Sequence, residues 1–377
     1  MNRRICYVTG TRADFGLMQT SLQAIKAHPD LDLDLMVTGM HLSAAHGHTV
    51  QEIRDAGLQI RAEIPVPLDP ATGATMARNL GRMVMAFVDE WDKDRPDLVL
   101  LLGDRGEMLA GAIAAIHLNL PVVHVHGGER SGTVDEPVRH AISKLSHCHL
   151  VATAASRERL IRMGEHPDAV WVTGAPGLDG LAQLATHSRA ALCQEHMLDA
   201  EQPVALMVFH PVLQEAAQAA EATGLILNSL RDQGTQVVAL MPNSDAGSGP
   251  IREMLQRRNG HDGVRVLTHL ARQRFASWMA QCDVMIGNSS AGIIEAATFG
   301  TPVLNLGSRQ NLRERNANTV DAPLERHALL MALKALLNKG RLPPTNVYGD
   351  GQTATRIADL LAGLKLTPEL MMKTNAY

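Results

Sequence analysis

Short apolar runs alternate with stretches of helical period along the whole chain. Residues 98–102 (LVLLL) and 122–125 (VVHV) are continuous, leucine-rich or β-branched, and bounded by polar or turn residues. That is the pattern of strands buried on both faces. Between them, residues 107–117 carry helical spacing, so the unit reads strand, helix, strand. The first half predicts strands at 5–9, 31–37, 98–102, 122–125, 149–152 and 170–173. Its helices fall at 17–28, 75–92, 107–117, 138–146 and 155–163. Gly174-Ala175-Pro176-Gly177 then breaks the alternation. A second series has strands at 204–209, 237–241, 264–267, 284–286 and 303–306, separated by helices at 215–231, 251–258 and 272–281. Such alternation predicts an α/β protein with two doubly wound parallel sheets. The expected domains are 1–178 and 200–350, followed by a tail at 351–377 whose amphipathic stretch, 353–364, packs back on the first domain.

In open parallel sheets, ligands bind beyond the carboxyl ends of the strands. Asp104 follows one such strand, and His124, His126 and Glu129 end the next. Asp135 and Glu136 occupy the following turn, before a helix that Pro137 starts. Asp104 or Asp135 alone reads as a helix cap. The whole cluster of carboxylates and imidazoles reads as a proton-transfer site. The first strand runs into Gly10-Thr11-Arg12-Ala13-Asp14-Phe15-Gly16, where Arg12 offers a bidentate phosphate donor, although the spacing is neither GxGxxG nor GxxxxGKS. In the second half, Gly287-Asn288-Ser289-Ser290-Ala291-Gly292 opens a helix bearing Glu295, a fitting diphosphate seat. Arg309, Arg313 and Arg315 in the loop beyond would clamp a leaving phosphate. Acids and bases in one domain, facing a diphosphate seat in the other, mean chemistry on the sugar of a nucleotide sugar in the cleft between them.

Two apparent metal motifs are set aside. In Asp30-Leu31-Asp32-Leu33-Asp34, strict alternation puts the aspartates on one exposed face of an edge strand. His41, His46 and His48 have no carboxylate or cysteine nearby, so no metal is expected. Composition excludes other classes. Aromatics make up only 3% of the chain, too few for a stacking surface. A net charge of -4 gives no attraction to nucleic acid or to a membrane surface. The four scattered cysteines, Cys6, Cys148, Cys193 and Cys282, suit free thiols in a reducing cytosol. A cytoplasmic location is the expectation.

Several stretches together resemble the UDP-N-acetylglucosamine 2-epimerases: VTGTRADFGLM at the start, GDR at 103, HVHGGERSGTVDEPVRHAISKLSH, FHPV at 209, MPNSDAG at 241 and GNSSAGIIEAATFGTPVLNLGSRQ at 287. The resemblance implies a two-domain glycosyltransferase-B fold, no cofactor, a nucleotide-sugar partner and a homodimer or homotetramer. Asp104 and Asp135 match catalytic carboxylates, and His210 a histidine near the diphosphate. Arg12, Ser289, Ser290 and Arg309 match phosphate contacts, Glu295 the ribose contact and Asn243 a ligand-side asparagine. The non-hydrolysing branch carries QHxxM where this chain has Gly39-Met40-His41-Leu42-Ser43, which points to the hydrolysing branch. The family's HIEGG is here His124-Val125-His126-Gly127-Gly128, so a glutamate gives way to His126, with Glu129 the alternative carrier of its role. The implied product is N-acetylmannosamine or a related acetamido sugar, on the way to sialic-acid-type sugars.

Rival readings are a non-hydrolysing 2-epimerase and a glycosyltransferase of the same fold, which needs one base rather than carboxylates on both ring faces. A zinc hydrolase would use His124 and His126 on one strand face. A nucleotide-sugar sensor would have no need of the acid cluster.

Overall fold

The computed structural model describes residues 2–131 and 135–377, so 132–134 of the HVHGGERSGTVDEPVRH motif lie outside the described residues. The described residues form thirteen strands in two wholly parallel sheets, eleven of them at the predicted apolar runs. The first sheet holds β1 (Arg3–Thr9), β2 (Leu31–Thr38), β3 (Ile60–Ile64), β4 (Leu98–Leu102), β5 (Val122–Val125), β6 (Cys148–Val151) and β7 (Val170–Val172). Its order is β3-β2-β1-β4-β5-β6-β7. The second holds β8 (Val204–Val208), β9 (Gln236–Leu240), β10 (Val264–Leu267), β11 (Val284–Gly287), β12 (Val303–Leu306) and β13 (Thr319–Ala322). Its order is β10-β9-β8-β11-β12-β13. Each sheet reverses its winding once, between β1 and β4 and between β8 and β11. Those two switch points are where a doubly wound sheet opens a ligand crevice.

Two strands differ from the sequence expectation, and both are edges. β3 carries Arg61 and Glu63, and β13 reads TVDA, so neither shows the apolar run of a buried strand. β3 also corrects the reading of Asp30, Asp32 and Asp34. β2 is an inner strand, and Asp34 is bound by Arg61 of the true edge at 2.6 Å.

Helix starts also move. The first helix runs Arg12–Ala27, five residues earlier than the glycines suggested. Thr11 and Asp14 form a capping box: Asp14 N donates to Thr11 Oγ1 at 3.2 Å and Thr11 N to Asp14 Oδ2 at 2.7 Å. The helix Gly73–Lys93 buries Met83, Phe87 and Trp91, spaced four apart on one face. Each such burial contributes about 1.5–3 kcal/mol. The helix Thr353–Gly363 lays Ile357, Ala358 and Leu361 into the first domain's core against Arg12–Ala27. Asp179 accepts from the backbone N–H of Thr353 and Ala354 at its start. Among the described residues no helix is long and apolar enough to cross a membrane.

Candidate active site

The carboxyl ends of β1, β4 and β5 face those of β8, β9, β11 and β12 across a cleft. It holds a chamber of about 220 Å³ lined by Arg12, Asp104, His126 and Asp135 from one side and His210, Asn243, Ser289, Ser290 and Arg309 from the other. Glu295 lines a second, smaller chamber opening from the first on the Arg272 side. Glu129, like His124, Glu136 and Arg315, lines neither.

Asp104 does not cap the helix Gly106–His117, whose N-cap is Arg105. It accepts instead from Arg139 Nη2, and Arg139 also donates to the Glu129 carbonyl at 3.2 Å. Arg139 is 1% exposed, and burial, aided by Arg309, pushes its guanidinium down to about 9. Sequence reading missed it, though it lies one helical turn after Asp135 and so shares its face. Asp135 opens the helix Asp135–Leu145, two residues ahead of Pro137, and approaches Arg309 of the opposite domain at 3.5 Å. Arg105, also unforeseen, bridges Glu107 at 3.3 Å and Asp245 of the second domain at 3.4 Å. Burial works against its charge, but Glu107, Asp245 and Asp14 outweigh that and hold it cationic.

His126 sits just past the end of β5 at φ 62, a left-handed conformation seldom used outside glycine. Gly127 and Gly128 let the chain pass close to its neighbours. A Cβ at Gly128 would collide with the Ser156 carbonyl, and one at Gly127 would lie 2.9 Å from Ser143 Oγ. The ring therefore turns into the chamber and leaves the face used by His124. His124 binds the Gly103 carbonyl at 2.7 Å and Ser143 Oγ at 3.0 Å through its two nitrogens. This removes the shared strand face on which the zinc reading rested. His126 Nδ1 lies 3.0 Å from Glu129 Oε1, and Glu129 Oε2 meets Arg313 of the second domain. Glu129 thus stands behind His126, within a layer that solvent does not reach. Burial, helped by Arg313, pushes His126 down to about 3, so the imidazole is neutral near pH 7. Its Nε2 has no hydrogen-bond partner among the described residues.

On the second domain, His210 Nδ1 accepts from Asn243 N at 3.3 Å, which places the proton on Nε2. Burial and then Arg309 push His210 down to about 3, so it is a neutral N–H donor. Asn288 fixes its backbone by two bonds of 2.8 Å. Ser289 caps the Ser290–Ile294 helix by accepting from Ala291 N at 3.3 Å. That helix is only five residues long, so its dipole adds little, and the anion-attracting charge comes from Arg12 and Arg309. Arg12 is partly spent on the Leu270 carbonyl of the other domain. Glu295 is gripped by Arg272 through bonds of 2.9 and 3.0 Å. Arg315 corrects the three-arginine clamp: it turns away to Asp321 on β13 at 2.8 Å.

Buried neutral imidazoles make stability depend on pH. Burial is the largest cause in each case, holding His124, His126 and His210 at about 3 and His41 and His147 at about 4. In the unfolded chain a histidine titrates near 6.5. The unfolded state therefore binds more protons below that pH, and stability is full above about 6.5 and falls as the pH drops toward 4. Each group adds a slope of up to about 1.4 kcal/mol per pH unit. Urea unfolding midpoints should fall steeply from pH 6.5 to 4.5; a flat profile would mean the imidazoles are solvated.

Two doubly wound parallel sheets whose carboxyl ends face one cleft define a protein of the two-domain, glycosyltransferase-B-like architecture. Residues 23–362 match the family model described as UDP-N-acetylglucosamine 2-epimerase. The chain is 48% identical, over the full length of both proteins, to the UDP-N,N'-diacetylbacillosamine 2-epimerase (hydrolyzing) of Legionella pneumophila. It is 31% identical to the GDP/UDP-N,N'-diacetylbacillosamine 2-epimerase (hydrolyzing) of Campylobacter jejuni, covering 85% of each chain. In fold it resembles the crystal structure of UDP-GlcNAc 2-epimerase from Neisseria meningitidis bound to UDP-GlcNAc, with a TM-score of 0.80 and 19% identity over 95% of this chain and 99% of that one. The chain belongs to the UDP-N-acetylglucosamine 2-epimerase family, in its hydrolysing branch.

Proposed function

We propose that the protein hydrolyses UDP-N,N'-diacetylbacillosamine, releasing UDP and the C2 epimer of the free sugar. The sequence motifs alone pointed to UDP-N-acetylglucosamine and N-acetylmannosamine; identity to the Legionella relative favours the diacetamido sugar. The carrying observation is that one chamber joins Asp104, His126 and Asp135 to Arg12, His210 and Arg309. Acid–base groups thus stand beside cationic and N–H donors.

The C2 proton is not next to a carbonyl and is barely acidic, so departure of UDP must run ahead through an oxocarbenium-like state. Arg12, Arg309 and the His210 Nε2–H meet the charge growing on the diphosphate, the effect that removes most of such a barrier. Loss of the C2 proton then gives a glycal with its double bond between C1 and C2. Water adds its hydroxyl at C1, and a proton returns to C2 from the opposite face. One water is consumed and one C–H bond is broken and remade. Asp104, His126 and Asp135 share these proton transfers, His126 entering as a neutral acceptor. Glu295 takes the ribose hydroxyls, and Asn243, held in a turn with Asp245, borders the diphosphate.

Run in deuterated water, the reaction should place one deuterium at C2 of a free sugar, read by mass spectrometry and NMR. Deuterium found only in intact nucleotide sugar would replace this reading by the non-hydrolysing one.

A further inference from the structure

A third chamber, of about 210 Å³, opens from the catalytic one on the side away from Glu295. The two share Asp104, Arg105, Asp135 and Arg309 at their junction. The three chambers therefore form one trough, running from Glu295 and Arg272 through the phosphate donors to this far end. A nucleotide sugar has the same linear order: nucleoside, diphosphate, sugar. With the anomeric carbon at the junction, the far chamber receives the part of the sugar most distant from C1.

The far wall is apolar, built from Val66, Leu68, Met76, Leu80, Met83 and Val138. The polar side chains set among them, Asn79, Thr72 and Thr75, already have partners within the protein. Asn79 Nδ2 donates to the Pro67 carbonyl at 2.6 Å, and its Oδ1 accepts from Arg82. Thr72 and Thr75 hydroxyls lie 3.0 Å apart at a helix start. Among the described residues, Leu68 and Met76 join none of the hydrophobic core clusters, although Met76 is 39% exposed. Apolar side chains that serve no core and face a chamber suit an apolar occupant.

We infer that this chamber is the seat of the sugar's C4 and C6 substituents and selects a 6-deoxy, 4-acetamido sugar, with Leu68 and Met76 as specificity-determining residues. The inference rests on the substrate reading above. In the diacetamido sugar, C6 is a methyl and C4 ends in an acetyl methyl, and both gain apolar contact. In UDP-N-acetylglucosamine the same positions carry hydroxyls, which lose their water partners against this wall. A hydrophobic pocket discriminates against an added hydroxyl by about 10²-fold at most.

The test measures kcat/KM for both nucleotide sugars with wild type, Leu68→Asn, Met76→Gln and the double variant. Calorimetric UDP affinity reports folding and the intact nucleotide seat. Wild type should prefer the diacetamido substrate by about 10- to 100-fold. The variants should erode that preference, through the diacetamido substrate, while UDP binds as before. An unchanged preference in variants that still bind UDP overturns the chamber assignment and leaves the substrate reading standing. Wild type favouring UDP-N-acetylglucosamine overturns both. If the double variant loses UDP binding, the two single variants decide by the same criterion.

Discussion

Asp104→Asn is expected to lower kcat by roughly 10²–10⁴, the usual loss for a group that carries a proton in the transition state. The substitution is close to isosteric, and the Asn oxygen can still accept from Arg139, so the loop keeps its shape. What disappears is the charge and the capacity to take a proton. UDP affinity should stay largely intact, because Arg12, His210 and Arg309, the phosphate donors proposed above, do not rest on Asp104. Steady-state kinetics beside UDP calorimetry separate the two effects. A fully active Asp104→Asn would make the carboxylate a mere anchor for Arg139.

Glu129→Gln and His126→Ala are expected to fail in different ways. Glu129 is 3% exposed and meets Arg313, which is also buried. Removing its charge leaves a guanidinium uncompensated out of water, a loss on the order of 3–5 kcal/mol in stability. Activity should fall as well, since His126 loses the carboxylate beside its Nδ1. His126→Ala leaves the Glu129–Arg313 pair in place and should lower kcat by roughly 10²–10⁴. His126→Asn is the companion variant, because Asn tolerates the positive φ at this position. Thermal melts and kcat, taken together, distinguish the residues. A stable, inactive Glu129→Gln with an active His126→Ala would transfer the proton-handling role to Glu129.

The strands that carry the site were legible because parallel strands buried on both faces must be continuous apolar runs. The residues that meet in the chamber could be singled out because strand ends are where ligands bind. Asp104, His126 and Asp135 were singled out on that argument, in and just after one strand–helix–strand unit, and the fold brings them to one chamber. Arg105 and Arg139 were not, because an arginine at a helix start or one turn along looks the same whether it faces water or a buried carboxylate. β3 and β13 were missed for a related reason. An edge strand needs no apolar run, and its charged side chains conceal it.

What the sequence by itself determined is therefore local: the alternation of elements, the residues at strand ends and the glycines that bring backbone close to backbone. Each depends on neighbours within a few residues, which the chain order encodes directly. The tertiary structure decided which charges meet. Asp104 meets Arg139 only when the first sheet brings the end of β4 beside the following helix, and Asp135 with Arg309 and Glu129 with Arg313, more than a hundred residues apart, pair only when two sheets close on one cleft. It also decided that Glu129 stands behind His126 and not beside it. A left-handed turn at one residue redirected the side chain, and no spacing rule reports such a turn.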